Sequence, residues 1–190
     1  MDFHHLLVNL GFLLLSDDSG EDEEVLKFIF ELRDPALTSV FKLKERGNCI
    51  FKESNHLLAF SYYKQAIKFL CLIDIPSTSE QQSCATSPTI SLILNLAACE
   101  IKLSHFAEAW FYCNLVLICD HCNVKARYRM GLSSKNLNLF NEALEDFEAA
   151  LKLDPKNKDI TRELHSMVDC IAQNLSCKQV GYQFDPLGWT

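Results

Sequence analysis

Five side chains in this 190-residue chain have the types and the spacing to hold an anion. Lys44 and Asn48 stand four residues apart, as do Lys125 and Arg129, so each pair would share one face of a helix. Asn95 lies between the two pairs in the chain. Ammonium, guanidinium and amide groups all donate hydrogen bonds, and nothing acidic is among the five; converging on one groove, they would form an anion receptor. Other chemistry is poorly provided for. No nucleophile–base set and no phosphate-binding glycine loop is present. Cys119-Asp-His-Cys122 has the spacing of half a zinc site, with Cys113 and His105 near it in the chain, but no second Cys-x-x-Cys pair completes it. No catalytic residue, metal or cofactor is therefore expected.

The five donors converge only if the chain folds as stacked copies of one unit. The clearest copy runs from Val124 to Asn157. Ala126, Met130, Gly131 and Leu137 recur at helical spacing, as do Ala143, Leu144, Phe147, Ala150 and Leu151, with a turn expected near Asn138 and a stop at Pro155. So small a hairpin cannot bury its apolar face alone. A second copy is Ile90 to Asn123, where Ala109 matches Ala143, Ala97 replaces Gly131, and His105 and Phe106 replace Leu139 and Phe140. The third is Val40 to Ile73, where Gly47, Ala59, Tyr63 and Ala66 take the places of Gly131, Ala143, Phe147 and Ala150. Residues 74–89, rich in Ser, Thr and Pro, are expected to form an extended loop between copies. With the copies aligned, the five donors project into an arc of about 100° on the inner helices, and Lys102 joins its far end. Arg46 and Arg127 fall outside it, as solvent-facing or inter-helix residues.

The flanks are read more coarsely. Ile160, Leu164, Met167, Val168, Ile171 and Leu175 make one apolar stripe, so residues 158–175 are expected to cap the array, with an irregular tail over 176–190. Residues 1–39 form a partly acidic segment; Phe3 to Leu15 is apolar but shorter than the roughly 20 residues of a membrane span, and Glu23 to Arg33 could be a helix ended by Pro35. A net charge of −7 argues against general nucleic-acid binding. Nine cysteines, an odd number with no evident secretion signal, read as free thiols in a reducing compartment.

A repeat of this period, with small residues at the helix crossing and an aromatic on the second helix, resembles the tetratricopeptide repeat over residues 40–157. The copies at 40–73 and 90–123 lack the closing proline, Val116 replaces the last small residue of the latter, and Glu100 stands where the family usually has an aromatic. The resemblance implies an all-α fold: three hairpins (40–73, 90–123, 124–157) in a right-handed superhelix, plus the capping helix. Residue by residue, the five donors are similar to the carboxylate clamp of co-chaperone tetratricopeptide domains. That likeness implies binding of the Glu-Glu-Val-Asp ending of heat-shock protein 90 and/or 70. Lys44, Asn48 and Asn95 would hold the terminal carboxylate, Lys125 the side-chain carboxylate and Arg129 the adjoining backbone or acidic side chain, with Lys102 a further groove contact. KLKERGNCIFKESNH, LNLAACEIKL and VKARYRMGLS most resemble the repeat region of the large FK506-binding immunophilins. Those proteins carry a prolyl isomerase domain upstream, for which the 39 residues before Val40 are too few. The expectation is thus a monomeric, non-enzymatic adaptor of the cytoplasm, or also the nucleus, or a truncated immunophilin paralogue. A repeat scaffold or regulatory subunit serving another partner is the alternative.

Overall fold

Three left-handed backbone turns set the register of the chain. Ser54, Ser104 and Asn138 have φ of 65°, 64° and 62°. They occupy one place in the three copies, and after each the next amide reaches back five residues: Asn55 N–H to the Ile50 carbonyl (3.3 Å), His105 to Glu100 (2.9 Å) and Leu139 to Ser134 (2.9 Å). This closure ends a helix by satisfying a carbonyl that would otherwise lack a partner. A computed structural model describes residues 36–72 and 79–180, with side chains over 38–70 and 88–169. It contains α1 (Ala36–Lys52), α2 (His56–Leu72), α3 (Ser79–Lys102), α4 (Phe106–Cys119), α5 (Val124–Asn136), α6 (Phe140–Leu153) and α7 (Lys158–Val180). No strand occurs among the described residues. The expectations for residues 1–35, for residue 73 and residues 74–78 of the loop, and for 181–190 of the tail lie outside them.

Small residues at the crossings let each helix pair close. A Cβ added to Gly47 would sit 2.6 Å from the Tyr63 ring, and one added to Gly131 2.8 Å from the Phe147 ring. The second hairpin pairs Ala97 with the smaller Cys113 in the same two places, both fully buried. Burial also pushes the Cys99 and Cys113 thiols up to about 12, so both are inert core residues.

Several boundaries differ from expectation. α1 begins at Ala36, one turn before Val40, and Ser39 and Val40 are both buried. α3 begins at Ser79, so residues 79–89 are helical where a loop was expected. Glu80, Gln81 and Gln82 favour helix, and Thr89 is fully buried, so packing and propensity outweigh the backbone hydrogen bond that Pro88 forgoes inside the helix. The cap runs on to Val180, taking the first five residues of the expected irregular tail. Ile160 and Met167 of its apolar stripe are buried, but Val168 is 52% exposed. Lys135 ties α7 to α5, its Nζ lying 3.0 Å from Glu163 Oε2 and 3.1 Å from Ser166 Oγ.

Glu100, the residue in the aromatic place, is buried and hydrogen-bonded at 2.8 Å to Nδ1 of exposed His105. Burial raises its carboxyl above the usual range, against the opposing hydrogen bond and charge of His105. The folded chain therefore holds this proton more tightly than the unfolded chain. Its contribution to stability falls as pH rises from the ordinary carboxylate pKa through the raised one. Glu100→Gln is expected to raise Tm by a few degrees at neutral pH and by much less in acid, where Glu100 is itself neutral. A pH-independent change in Tm would remove burial of charge as the cause.

Candidate functional site

The inner helices α1, α3 and α5 bring most of the predicted donors together. A cavity of about 270 Å³ is lined by Glu45, Asn48, Tyr63, Asn95 and Arg129, among others. A second, of about 420 Å³, is lined by Asn95, Asp120, Cys122, Lys125 and Arg129, among others. Asn95 and Arg129 line both, so the two cavities are halves of one groove.

Each donor is placed by local structure. Asn123 caps α5: its Oδ1 accepts from the Ala126 N–H (3.0 Å) and its Nδ2 donates to Asp120 (2.9 Å). That cap sets where α5 begins, and with it Lys125, which stands exposed at the groove. Arg129 lies one turn further on, half-buried, donating through Nη1 to the Leu94 carbonyl of α3. Burial lowers its pKa, yet a guanidinium stays charged at any physiological pH, so the groove holds a poorly solvated cation with N–H groups to spare. Asn48 Oδ1 accepts from both the Tyr63 hydroxyl (2.8 Å) and Asn95 Nδ2 (3.3 Å), while Asn48 Nδ2 donates to Glu45 (3.1 Å). An amide NH₂ carries two protons, so each asparagine keeps one N–H beyond these bonds.

The placement also departs from the sequence reading. Lys44 is half-buried on α1 and Lys102 exposed in the last turn of α3, and neither lines either half of the groove. Acidic groups were not expected there, yet Glu45 lines one half and Asp120 the other. Arg46 is exposed, and Arg127 turns away to Asp146 of α6 at 3.2 Å. Tyr63, a core residue by its place in the repeat, also faces the groove, and the sequence signal for this is its hydroxyl, absent from Phe147 in the equivalent place. Cys119 ends α4 and Cys122 lies in the following turn; both are exposed, and among the described residues no three His, Cys, Asp or Glu gather to hold a metal.

A tetratricopeptide-repeat model matches residues 124–157. FK506-binding protein 59 of Drosophila melanogaster is 35% identical over 141 residues, which are 74% of this chain but 30% of that protein. The chain thus spans between about a quarter and a third of the length of the curated relatives it matches. The C-terminal repeat-containing domain of a Plasmodium falciparum FK506-binding protein has a TM-score of 0.68 at 29% identity, over 78% of this chain and 99% of that one. The first repeat domain of Spaghetti (RPAP3), solved bound to the HSP90 peptide SRMEEVD, has a TM-score of 0.59 at 27% identity, over 71% of this chain and 94% of that one.

Proposed function

We infer a receptor for acidic peptide C-termini from one premise: this chain carries a tetratricopeptide-repeat domain, similar to the C-terminal repeat region of FK506-binding immunophilins. The observation that carries the reading is that Asn95 and Arg129 line both halves of the groove, so donors from α1, α3 and α5 serve a single ligand. A peptide ending in aspartate presents two carboxylates close together, one on the main chain and one on the side chain. The spare N–H groups of Asn48 and Asn95 suit the terminal carboxylate, and Lys44, one turn before Asn48 on α1, would have to extend to join them. Lys125 suits the side-chain carboxylate, and the Arg129 fork suits the adjoining backbone or acidic side chain. Lys102 is at most a contact for residues further upstream.

The ligand that best fits is the Glu-Glu-Val-Asp ending of heat-shock protein 90 or 70, and the role a chaperone adaptor that binds without catalysing. The likeness to a repeat domain solved with a peptide of that ending supports it. A peptide of that ending is expected to bind with micromolar Kd, about −8 kcal/mol, after peptide ordering has offset part of the hydrogen-bond energy. Titration calorimetry checks this. Amidating the peptide's C-terminus, or Lys125→Ala, is expected to weaken binding about tenfold, because each removes a charge-assisted bond of about 1.5 kcal/mol or more. Equal affinity for the free-acid and amidated peptides would falsify the carboxylate reading and leave a scaffold for some other acidic partner.

A further inference from the structure

We propose that Tyr63 is a positioning residue of this groove: its hydroxyl holds the Asn48 amide oxygen, so that Asn48 and Asn95 turn N–H groups toward a bound carboxylate. The proposal rests on reading the groove as a carboxylate receptor. An asparagine amide has one accepting end and one donating end, of similar shape, and its neighbours decide which end faces where. Here the Tyr63 hydroxyl, at 2.8 Å, and Asn95 Nδ2, at 3.3 Å, converge on Asn48 Oδ1. Turning the Asn48 amide over would set its NH₂ against the NH₂ of Asn95. The Asn95 NH₂ and the Glu45 carboxylate, which meets the Asn48 NH₂ at 3.1 Å, set the orientation of the amide, and the Tyr63 hydroxyl anchors its oxygen end at 2.8 Å. A ligand carboxylate would meet the same donating edge.

Packing does not explain the hydroxyl. Phe147 holds the equivalent place in the third hairpin, as close above Gly131 as Tyr63 is above Gly47, and both rings are buried. The ring alone therefore serves the helix crossing. Among the three copies, only the one whose inner helix bears Asn48 carries the hydroxyl; the second has Cys113 there. Burial also pushes the Tyr63 phenol up to about 12, which keeps it a donor across physiological pH.

The test is Tyr63→Phe in the full chain, read by calorimetric titration with free-acid and C-terminally amidated Glu-Glu-Val-Asp peptides and by thermal melting. The free-acid peptide is expected to bind about tenfold more weakly, as for loss of one preorganising hydrogen bond to an amide then held only by Asn95 and Glu45. The amidated peptide should be nearly unaffected, so the ratio between the two falls while Tm stays near that of the parent. In an Asn48→Ala background, Tyr63→Phe should have no further effect. An unchanged acid-to-amide ratio in Tyr63→Phe, or additive losses in the double variant, overturns the role of Tyr63. If the parent protein itself fails to prefer the free acid, the reading of the groove falls, and Tyr63 with it.

Discussion

Arg129→Ala is expected to cut affinity for an acidic C-terminal peptide by roughly 30- to 700-fold, about 2–4 kcal/mol, while Arg127→Ala leaves affinity unchanged. The two arginines are two residues apart on one helix and face opposite ways. Arg129 lines both halves of the groove and is held by the Leu94 carbonyl, so its fork is already oriented and partly stripped of water. A carboxylate arriving there meets a cation whose desolvation has been met in folding, which makes the new bond worth more than one on an exposed lysine. Arg129→Lys should recover little, since an ammonium cannot hold Leu94 and a ligand with the same planar spread of donors. Arg127 is the opposite case. Its partner Asp146 is buried, with its carboxyl pushed up by burial against the opposing Arg127 bond. Arg127→Ala strands that carboxyl and is expected to cost about 1–3 kcal/mol of stability, seen as a lower Tm with peptide affinity intact. If the effects fall the other way round, the groove has been placed on the wrong face of α5.

What could be read from the sequence, and what could not, follows from what a helical projection keeps. It keeps the angle around the axis, so Lys44, Asn48, Asn95, Lys125 and Arg129 fall on one face, although Lys44 does not line the groove, and Arg46 and Arg127 fall on others. It discards height. Lys102 lies seven residues beyond Asn95 on α3, roughly 10 Å along the axis at 1.5 Å per residue, so a shared angle did not bring it to the groove. Glu45 was lost for a related reason: a neighbour of Lys44 and Asn48 on one helix edges into a cavity that no projection outlines. The copies themselves were legible because small-against-large pairs such as Gly47 with Tyr63 must recur wherever two helices cross. The start of α3 was not. Ser, Thr and Pro suggested a loop, whereas the burial of Thr89 that favours helix there is a tertiary fact. The Tyr63 hydroxyl shows the same division, since its ring follows from the repeat but its partner lies on another helix.

The helix crossing itself offers the second large effect. Gly131→Ala is expected to destabilise the protein by about 1–2 kcal/mol, despite the helix preference of alanine over glycine. The new methyl would lie 2.8 and 2.9 Å from two ring carbons of Phe147, and that ring is fully buried with nowhere to retreat. Phe147→Cys removes the ring and is expected to cost about 2–4 kcal/mol through lost burial and the space left behind. Together the changes write into the third hairpin the pair that the second already carries, Ala97 with Cys113, where both side chains are fully buried. The methyl then meets a smaller sulfur and fills part of the space, so the double variant should be less destabilised than the sum by about 1–2 kcal/mol. Urea unfolding of the parent, both single variants and the double variant measures this coupling directly. Sums that agree within about 0.5 kcal/mol would mean that the pairing of small with large is coincidence rather than contact. The consequence reaches the groove, because Gly131 stands two residues from Arg129 on α5. A methyl that forces α5 away from α6 also moves the guanidinium, so Gly131→Ala should weaken peptide binding and Phe147→Cys in the same chain should restore part of it.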